Sequence, residues 1–146
     1  MNPNEAIIYC FRNAIKFKGR ASRPEFWWFT AFCMLIGLVL SADFFYSSII
    51  LDVMSSIIGL ILLVPNVSVC VRRLHDVNKS GYWLIPFAVM PLIPDKLIYK
   101  LPHFLPLVFA GLVLGYLIFL IYCLTLKGNE FENDFGQPPL TESQST

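Results

Sequence analysis

The sequence predicts an all-α membrane protein: four transmembrane helices, the third rich in proline, preceded by an amphipathic helix lying on the interface. Three observations carry that prediction. Of the 146 residues, 56% are hydrophobic and only 14% charged, whereas ordinary soluble domains are about a quarter charged. The apolar residues collect in runs near the roughly 20 residues that a helix needs to cross the hydrocarbon. The lysines and arginines fall mainly before and between those runs.

A chain of this length is expected to form one folding unit, here residues 1–139, followed by a polar, disordered tail at 140–146. Cys10, Cys33, Cys70 and Cys123 contain no C-x-x-C spacing, and three lie in apolar runs. They are read as free thiols acting as small hydrophobes. No metal site and no cofactor is expected. No cleavable leader is expected either: the first apolar run begins at Phe26 after a long polar lead, with no A-x-A-like site behind it.

Residues 3–18 read as the amphipathic helix. Ile7, Ile8, Phe11, Ala14 and Ile15 recur at helical spacing, with Glu5, Arg12, Asn13 and Lys16 opposite. Such a basic amphipathic helix suits the bilayer interface; packing against the rest of the protein is the alternative. Lys18-Gly19-Arg20 ends it. Ser22-Arg-Pro-Glu25 then forms a capping-box pattern, so a helix is predicted to start near Arg23. Phe26-Trp27-Trp28-Phe29 supplies aromatics for headgroup depth.

The first span is predicted over about 26–45 and the second over about 53–71, with a turn near Asp43 and Asp52 between them. Pro65 and Asn66 interrupt the second, where a kink is expected. The third segment, from Trp83, contains Pro86, Pro91 and Pro94. It reaches spanning length only by including Asp95, Lys96 and Lys100. A re-entrant segment is its alternative. The fourth span, about 104–126, is long and carries Gly111-x-x-x-Gly115, a pattern for close helix contact within or between chains.

Lysine and arginine mark the cytoplasmic side. Arg12, Lys16, Lys18, Arg20 and Arg23 precede the first span, and Arg72, Arg73 and Lys79 follow the second; the turn between has neither residue type. Four spans put both termini in the cytoplasm. A three-span threading would merge 72–103 into one cytoplasmic loop and turn the tail outward. Charge alone slightly favours three spans, whereas hydropathy of 82–102 favours four.

The densest polar chemistry lies in Val71-Arg-Arg-Leu-His-Asp-Val-Asn-Lys-Ser-Gly-Tyr-Trp83. Its arginines suit transfer arrest and orientation, and Asp76 with Ser80-Gly81 suits a turn. Arginine forks also bind phosphate or carboxylate. His75 is of the type that titrates near neutrality, and Asp76 is placed to pair with an arginine, Arg73 or Arg23 being the candidates.

Phe17-Lys-Gly-Arg20-Ala-Ser-Arg23-Pro-Glu25-Phe-Trp27, Arg72-Arg73-Leu74-His75-Asp76-Val-Asn78-Lys-Ser80-Gly81-Tyr-Trp83 and the shorter Asn133-Asp-Phe135-Gly136-Gln-Pro-Pro139 make the chain resemble the bacterial inner-membrane family catalogued as domain of unknown function 805. The resemblance covers roughly residues 10–139. It departs mildly, with Tyr82 where tryptophan is common and Asp134 where a basic residue is common. The resemblance implies a small helical inner-membrane protein with cytoplasmic motifs and implies no activity.

Four spans place all three motifs on one side. Arg20, Arg23, Glu25, Arg72, Arg73, His75, Asp76 and Asn133 are therefore expected to converge at headgroup depth as an ion-pair cluster. It would hold helix ends together and bind a phosphate-bearing ligand or anionic lipid headgroup. The function read from this is a non-enzymatic protein organising lipids or protein partners, with self-association through small-residue helix faces. No nucleic acid is expected as a partner. A transporter or channel component is one alternative, for which Asn66, Asp43 and Asp52 are the nearest intramembrane polar groups. A membrane-surface enzyme using His75 and Asp76 is another, although neighbours on a helix point about 100° apart. No catalytic motif appears.

Overall fold

The computed structural model describes residues 1–41, 49–89 and 104–139. The expected turn around Asp43, the remainder of the proline-rich segment with Lys96 and Lys100, and the polar tail lie outside the described residues.

Helix α1 runs Pro3–Arg12. Pro3 occupies its first turn, where the missing amide costs little, and the Asn2 amide donates to Glu5 Oε2 at 2.9 Å. It ends at Arg12, not at 18 as the spacing predicts. Asn13 explains the difference: its Nδ2 donates to Tyr9 O at 2.8 Å, occupying an exposed helix-end carbonyl. Residues 13–16 then turn onto the next elements, and Ser68 Oγ donates to Lys16 O at 2.6 Å. Ala6 and Cys10 are the buried face. Phe11 meets Phe29 edge-on, ring centroids 5.5 Å apart.

Helix α2 spans Arg23–Ser41. Ser22 Oγ accepts from the Glu25 amide at 3.3 Å, and the Ser22 backbone helps hold the Glu25 carboxylate in return. That is the predicted capping box. Helix α3 is longer than predicted, 28 residues from Ile49 to Asp76, and passes through a buried Pro65. Its length is about 42 Å, more than the roughly 30 Å hydrocarbon core. The surplus lies at both ends: Ile49 to Asp52, with Asp52 in the first helical turn and not in the expected turn, and the polar last turns, Arg72 to Asp76. Asn78 ends it with φ +55°, the left-handed geometry that stops helices.

A single 3-10 turn, Gly81–Leu84, leads into the short helix α4, Ile85–Val89. Helix α5 runs Phe104–Thr125. Trp83 lies against Tyr116 and Phe119, at 6.4 and 5.2 Å between ring centroids, and Tyr116 Oη donates to Trp83 O. Pro86, Phe87 and Val89 share an apolar cavity with Phe109, Leu112 and Val113. From Trp83 to Val89 the chain therefore runs back along α5 toward its N-terminal half.

Three of these helices, α2, α3 and α5, are long and apolar enough to cross a membrane. Their apolar side chains face outward: Leu38 is 70% exposed, Leu60 66% and Leu107 76%. Water does not tolerate such surface at this extent, whereas lipid covers it. The core sits at one end of the helices, where Cys10, Ala21, Phe26, Phe29, Val69, Leu74, Cys123 and Leu124 pack together. That end joins the start of α2 to the ends of α3 and α5.

Candidate functional site

Beside this core the chain buries an unusual number of charges. Arg20, Glu25, Arg72, Arg73, His75 and Asp76 are all counted among the buried residues. Buried charge is tolerated only when it is paired and hydrogen-bonded, and most of these groups are.

Asp76, at the last residue of α3, is the hub. Its Oδ1 accepts from Arg20 Nε at 2.9 Å and lies 2.8 Å from Arg20 Nη2. Its Oδ2 accepts from Arg73 Nη1. Its backbone carbonyl accepts from the Asn129 amide at 2.9 Å. Of the expected partners Arg73 and Arg23, only Arg73 pairs with it. Arg20 takes the other place, because Arg23 sits at the rim and donates to Leu126 O at 3.0 Å.

Arg73, fully buried, reaches the end of α5. Its Nε donates to Leu124 O at 3.0 Å and its Nη2 to Leu126 O. The last carbonyls of a helix lack intrahelical partners and carry the negative end of its dipole, so a guanidinium satisfies them and is stabilised in turn. Arg20 does the same for the segment that follows. It donates to Phe131 O at 2.8 Å, to Gly136 O at 3.3 Å and to Asn129 O. Arg20, near the start of the chain, and Arg73, at its middle, thus fasten residues 124–136.

His75 faces away from Asp76. Its Nδ1 lies 3.1 Å from Gly19 O, and a carbonyl only accepts, so Nδ1 carries the proton there. Its ring stacks on Phe135 with centroids 3.9 Å apart and planes 6° from parallel. Asn133 Nδ2 donates to the His75 carbonyl at 2.8 Å, and Asn133 Oδ1 accepts from the Phe135 amide at 3.0 Å. His75 and Asp76 are therefore each held by other partners.

The second pair lies under α1. Arg72 Nη1 meets Glu25 Oε1 at 2.5 Å, and the Tyr9 ring centroid is 5.9 Å from Arg72 Cζ. Cys10 Sγ is 3.8 Å from Glu25 Oε1. Burial, and then the Glu25 charge, push the Cys10 thiol up to about 12. The Arg72 carbonyl accepts from the Ala21 amide at 3.0 Å.

The structure brings all eight of the sequence-nominated residues to this end of the helices, with Arg23 outermost. Sequence reading missed the groups that accept from the arginines. Leu124, Leu126, Asn129, Phe131 and Gly136 contribute carbonyls, which leave no mark on residue type. It also missed Gly128: a Cβ there would stand 1.9 Å from Asp76 Oδ2, and a glycine soon after a long helix is the signal that could have drawn attention to it. Among the described residues, no group of three His, Cys, Asp or Glu is placed to hold a metal ion.

The comparisons with known proteins agree with this picture in extent. Inner membrane protein YhaI of Escherichia coli K12 is 27% identical over 128 residues, covering 88% of this chain and 89% of that protein. Inner membrane protein YhaH of the same organism is 27% identical over 135 residues, covering 90% and 93%. The uncharacterized E. coli protein YiiR is 36% identical over 73 residues, 46% of this chain and 45% of its own length. No solved structure matches significantly. The model of one family covers residues 14–137, from just after α1 to the end of the segment fastened by Arg20, and by that match the chain belongs to the family described as protein of unknown function (DUF805).

Proposed function

We propose that the protein is a non-enzymatic inner-membrane protein that crosses the bilayer four times and gathers anionic lipid headgroups, or a protein partner, at its cytoplasmic face. The direction of the helices supports this threading: α3 and α5 both end at the polar cluster, which fits a return of the chain between them. The run of Trp83 to Val89 back along α5 supports that return. Lysine and arginine are concentrated at the cluster end, which supports a cytoplasmic location for it.

One observation carries the lipid reading. Ile8, Phe11, Ile15 and Phe17 are exposed, and they alternate with exposed Arg12, Lys16 and Lys18. Apolar side chains interleaved with cations fit the boundary between acyl chains and anionic headgroups. Helix α1 and the turn after it would lie there, with the ion-pair cluster as the rigid base beneath. A second reading adds a helix partner. A Cβ built at Gly111 or Gly115 meets nothing within 4 Å, which leaves room for close approach of another helix.

The test is lipid retention. Replace Arg12, Lys16 and Lys18 together by Gln, extract the protein in mild detergent, and quantify the copurifying lipid by mass spectrometry. The anionic fraction is expected to fall several-fold. An unchanged anionic fraction would count against the lipid reading.

A further inference from the structure

Arg72 is the arginine of the buried cluster whose bonding capacity is left over. Among the described residues, the buried side-chain nitrogens and oxygens without a partner are Thr30 Oγ1, Arg72 Nε and Arg72 Nη2. The Arg72 side chain is only 3% exposed. Its sole side-chain bond runs from Nη1 to Glu25. Arg20 and Arg73, by contrast, spend their remaining nitrogens on backbone carbonyls.

The two unpartnered atoms are not an arbitrary pair. Nε–H and Nη2–H lie along one edge of the guanidinium and point in parallel. That edge is how arginine grips two oxygens of a phosphate or carboxylate at once. The charge balance agrees. Arg20, Arg72 and Arg73 are buried with Glu25 and Asp76, so with His75 neutral one positive charge is in excess. Arg73 and Arg20 shed theirs onto the end of α5 and the segment behind it. Nothing comparable faces the free edge of Arg72.

The Tyr9 ring stands over Arg72 at 5.9 Å, and Tyr9 is itself 44% exposed. A ring face answers part of the cation's charge but cannot accept at the guanidinium edge. At headgroup depth phosphate is the oxyanion that every phospholipid carries.

We propose that the Nε–Nη2 edge of Arg72 is a phosphate-oxyanion site, closed by Tyr9 and opened by a shift of α1. The site holds either the phosphate of an anionic lipid or free phosphate. The lipid source rests on the reading above that α1 lies in the headgroup layer; the free-phosphate source does not.

The test uses the full chain, purified and delipidated in an uncharged detergent. Binding of inorganic phosphate and of short-chain phosphatidylglycerol is measured separately. At least one probe should bind, and Arg72→Lys, which keeps the charge and loses the fork, should weaken that probe at least tenfold. Phosphatidylglycerol alone identifies a headgroup site, and inorganic phosphate alone a soluble ligand. Binding of neither probe, or equal binding by Arg72→Lys, would overturn the proposal. Should Arg72→Lys not fold, Tyr9→Ala decides, since it removes the ring over Arg72 and leaves the guanidinium intact. It should tighten phosphate binding several-fold, and unchanged or weaker binding would refute the site. The triple Arg12/Lys16/Lys18→Gln protein should keep its inorganic phosphate affinity, so failure of the lipid reading and failure of the Arg72 site are told apart.

Discussion

Gly128 lies so close against Asp76 that a β-carbon on it would stand 1.9 Å from Oδ2 and 2.5 Å from Cγ. The glycine lets the chain leaving α5 fold directly over the hub carboxylate. Gly128→Ala must push either the loop or Asp76 away from its arginines. Overpacking of this kind costs about 1–3 kcal/mol, occasionally more, and the upper end is expected because two ion pairs share the displaced group. Unfolding in mixed detergent micelles measures it. Gly111→Ala, where a Cβ meets nothing within 4 Å, should stay within about 0.5 kcal/mol of the parent.

Asp76 holds Arg20 and Arg73 together. Asp76→Asn leaves two buried guanidinium groups without a carboxylate, and a loss of about 3–5 kcal/mol is expected. Arg73→Met alone strands Asp76 less completely, because Arg20 remains. In the double variant Asp76→Leu with Arg73→Met the charges leave together. It should be less destabilised than the sum of its singles by at least about 1 kcal/mol. Strict additivity would argue that the pair is incidental.

Phe135 and His75 are stacked at 3.9 Å and fasten the far end of the 126–136 segment. Phe135→Ala removes the stack while leaving Arg20 in place. The expected loss is about 1–2 kcal/mol, mostly local. Hydrogen exchange of the Asn129, Asn133 and Gly136 amides should quicken roughly tenfold or more, with α2 and α3 unchanged. Uniform quickening everywhere would mean that the segment does not open by itself.

How far these contacts were legible in the sequence follows from what kind of group makes them. The arginines, Glu25, His75, Asp76 and Asn133 stand out because ionisable and amide side chains are few beside such apolar runs; they share one end of the helices, in two separate ion-pair groups with Arg23 at the rim. Helices α2 and α5 were legible from apolar length. Helix α3 was under-read at its end: Arg72–Asp76 is polar, and hydropathy stops where the hydrocarbon stops, not where the helix does. The early end of α1 depends on one Asn13 side-chain bond, which competes with helix continuation without altering the apolar period. The choice of Arg20 over Arg23 for Asp76 is a matter of reach across 56 residues, which no spacing rule encodes.

Cys10 offers a chemical probe of how α1 is seated. Its thiol is pushed up to about 12 from 9.0, by burial first and by the Glu25 carboxylate second. A raised thiol pKa keeps the neutral form, so at pH 8 only about one molecule in 10⁴ carries the thiolate that alkylating reagents need. Iodoacetamide should label Cys10 about a thousandfold more slowly in the folded protein than in the unfolded chain. The folded-state rate should rise about tenfold per pH unit up to pH 11. Rapid labelling whose rate levels off above about pH 9, as for a free thiol, would mean that α1 does not stay seated.

The central claim is that the segments around Arg20, Asp76 and Asn133 meet on one side of the bilayer, the cytoplasmic side. Paired reporter fusions after Thr146 test it most directly, one a fluorescent protein that matures only in the cytoplasm, the other a phosphatase active only outside it. A fluorescent fusion and an inactive phosphatase are expected. An active phosphatase with a dark fluorescent protein would place Asn133 and Phe135 across the membrane from His75, and the cluster described here would not exist in the cell.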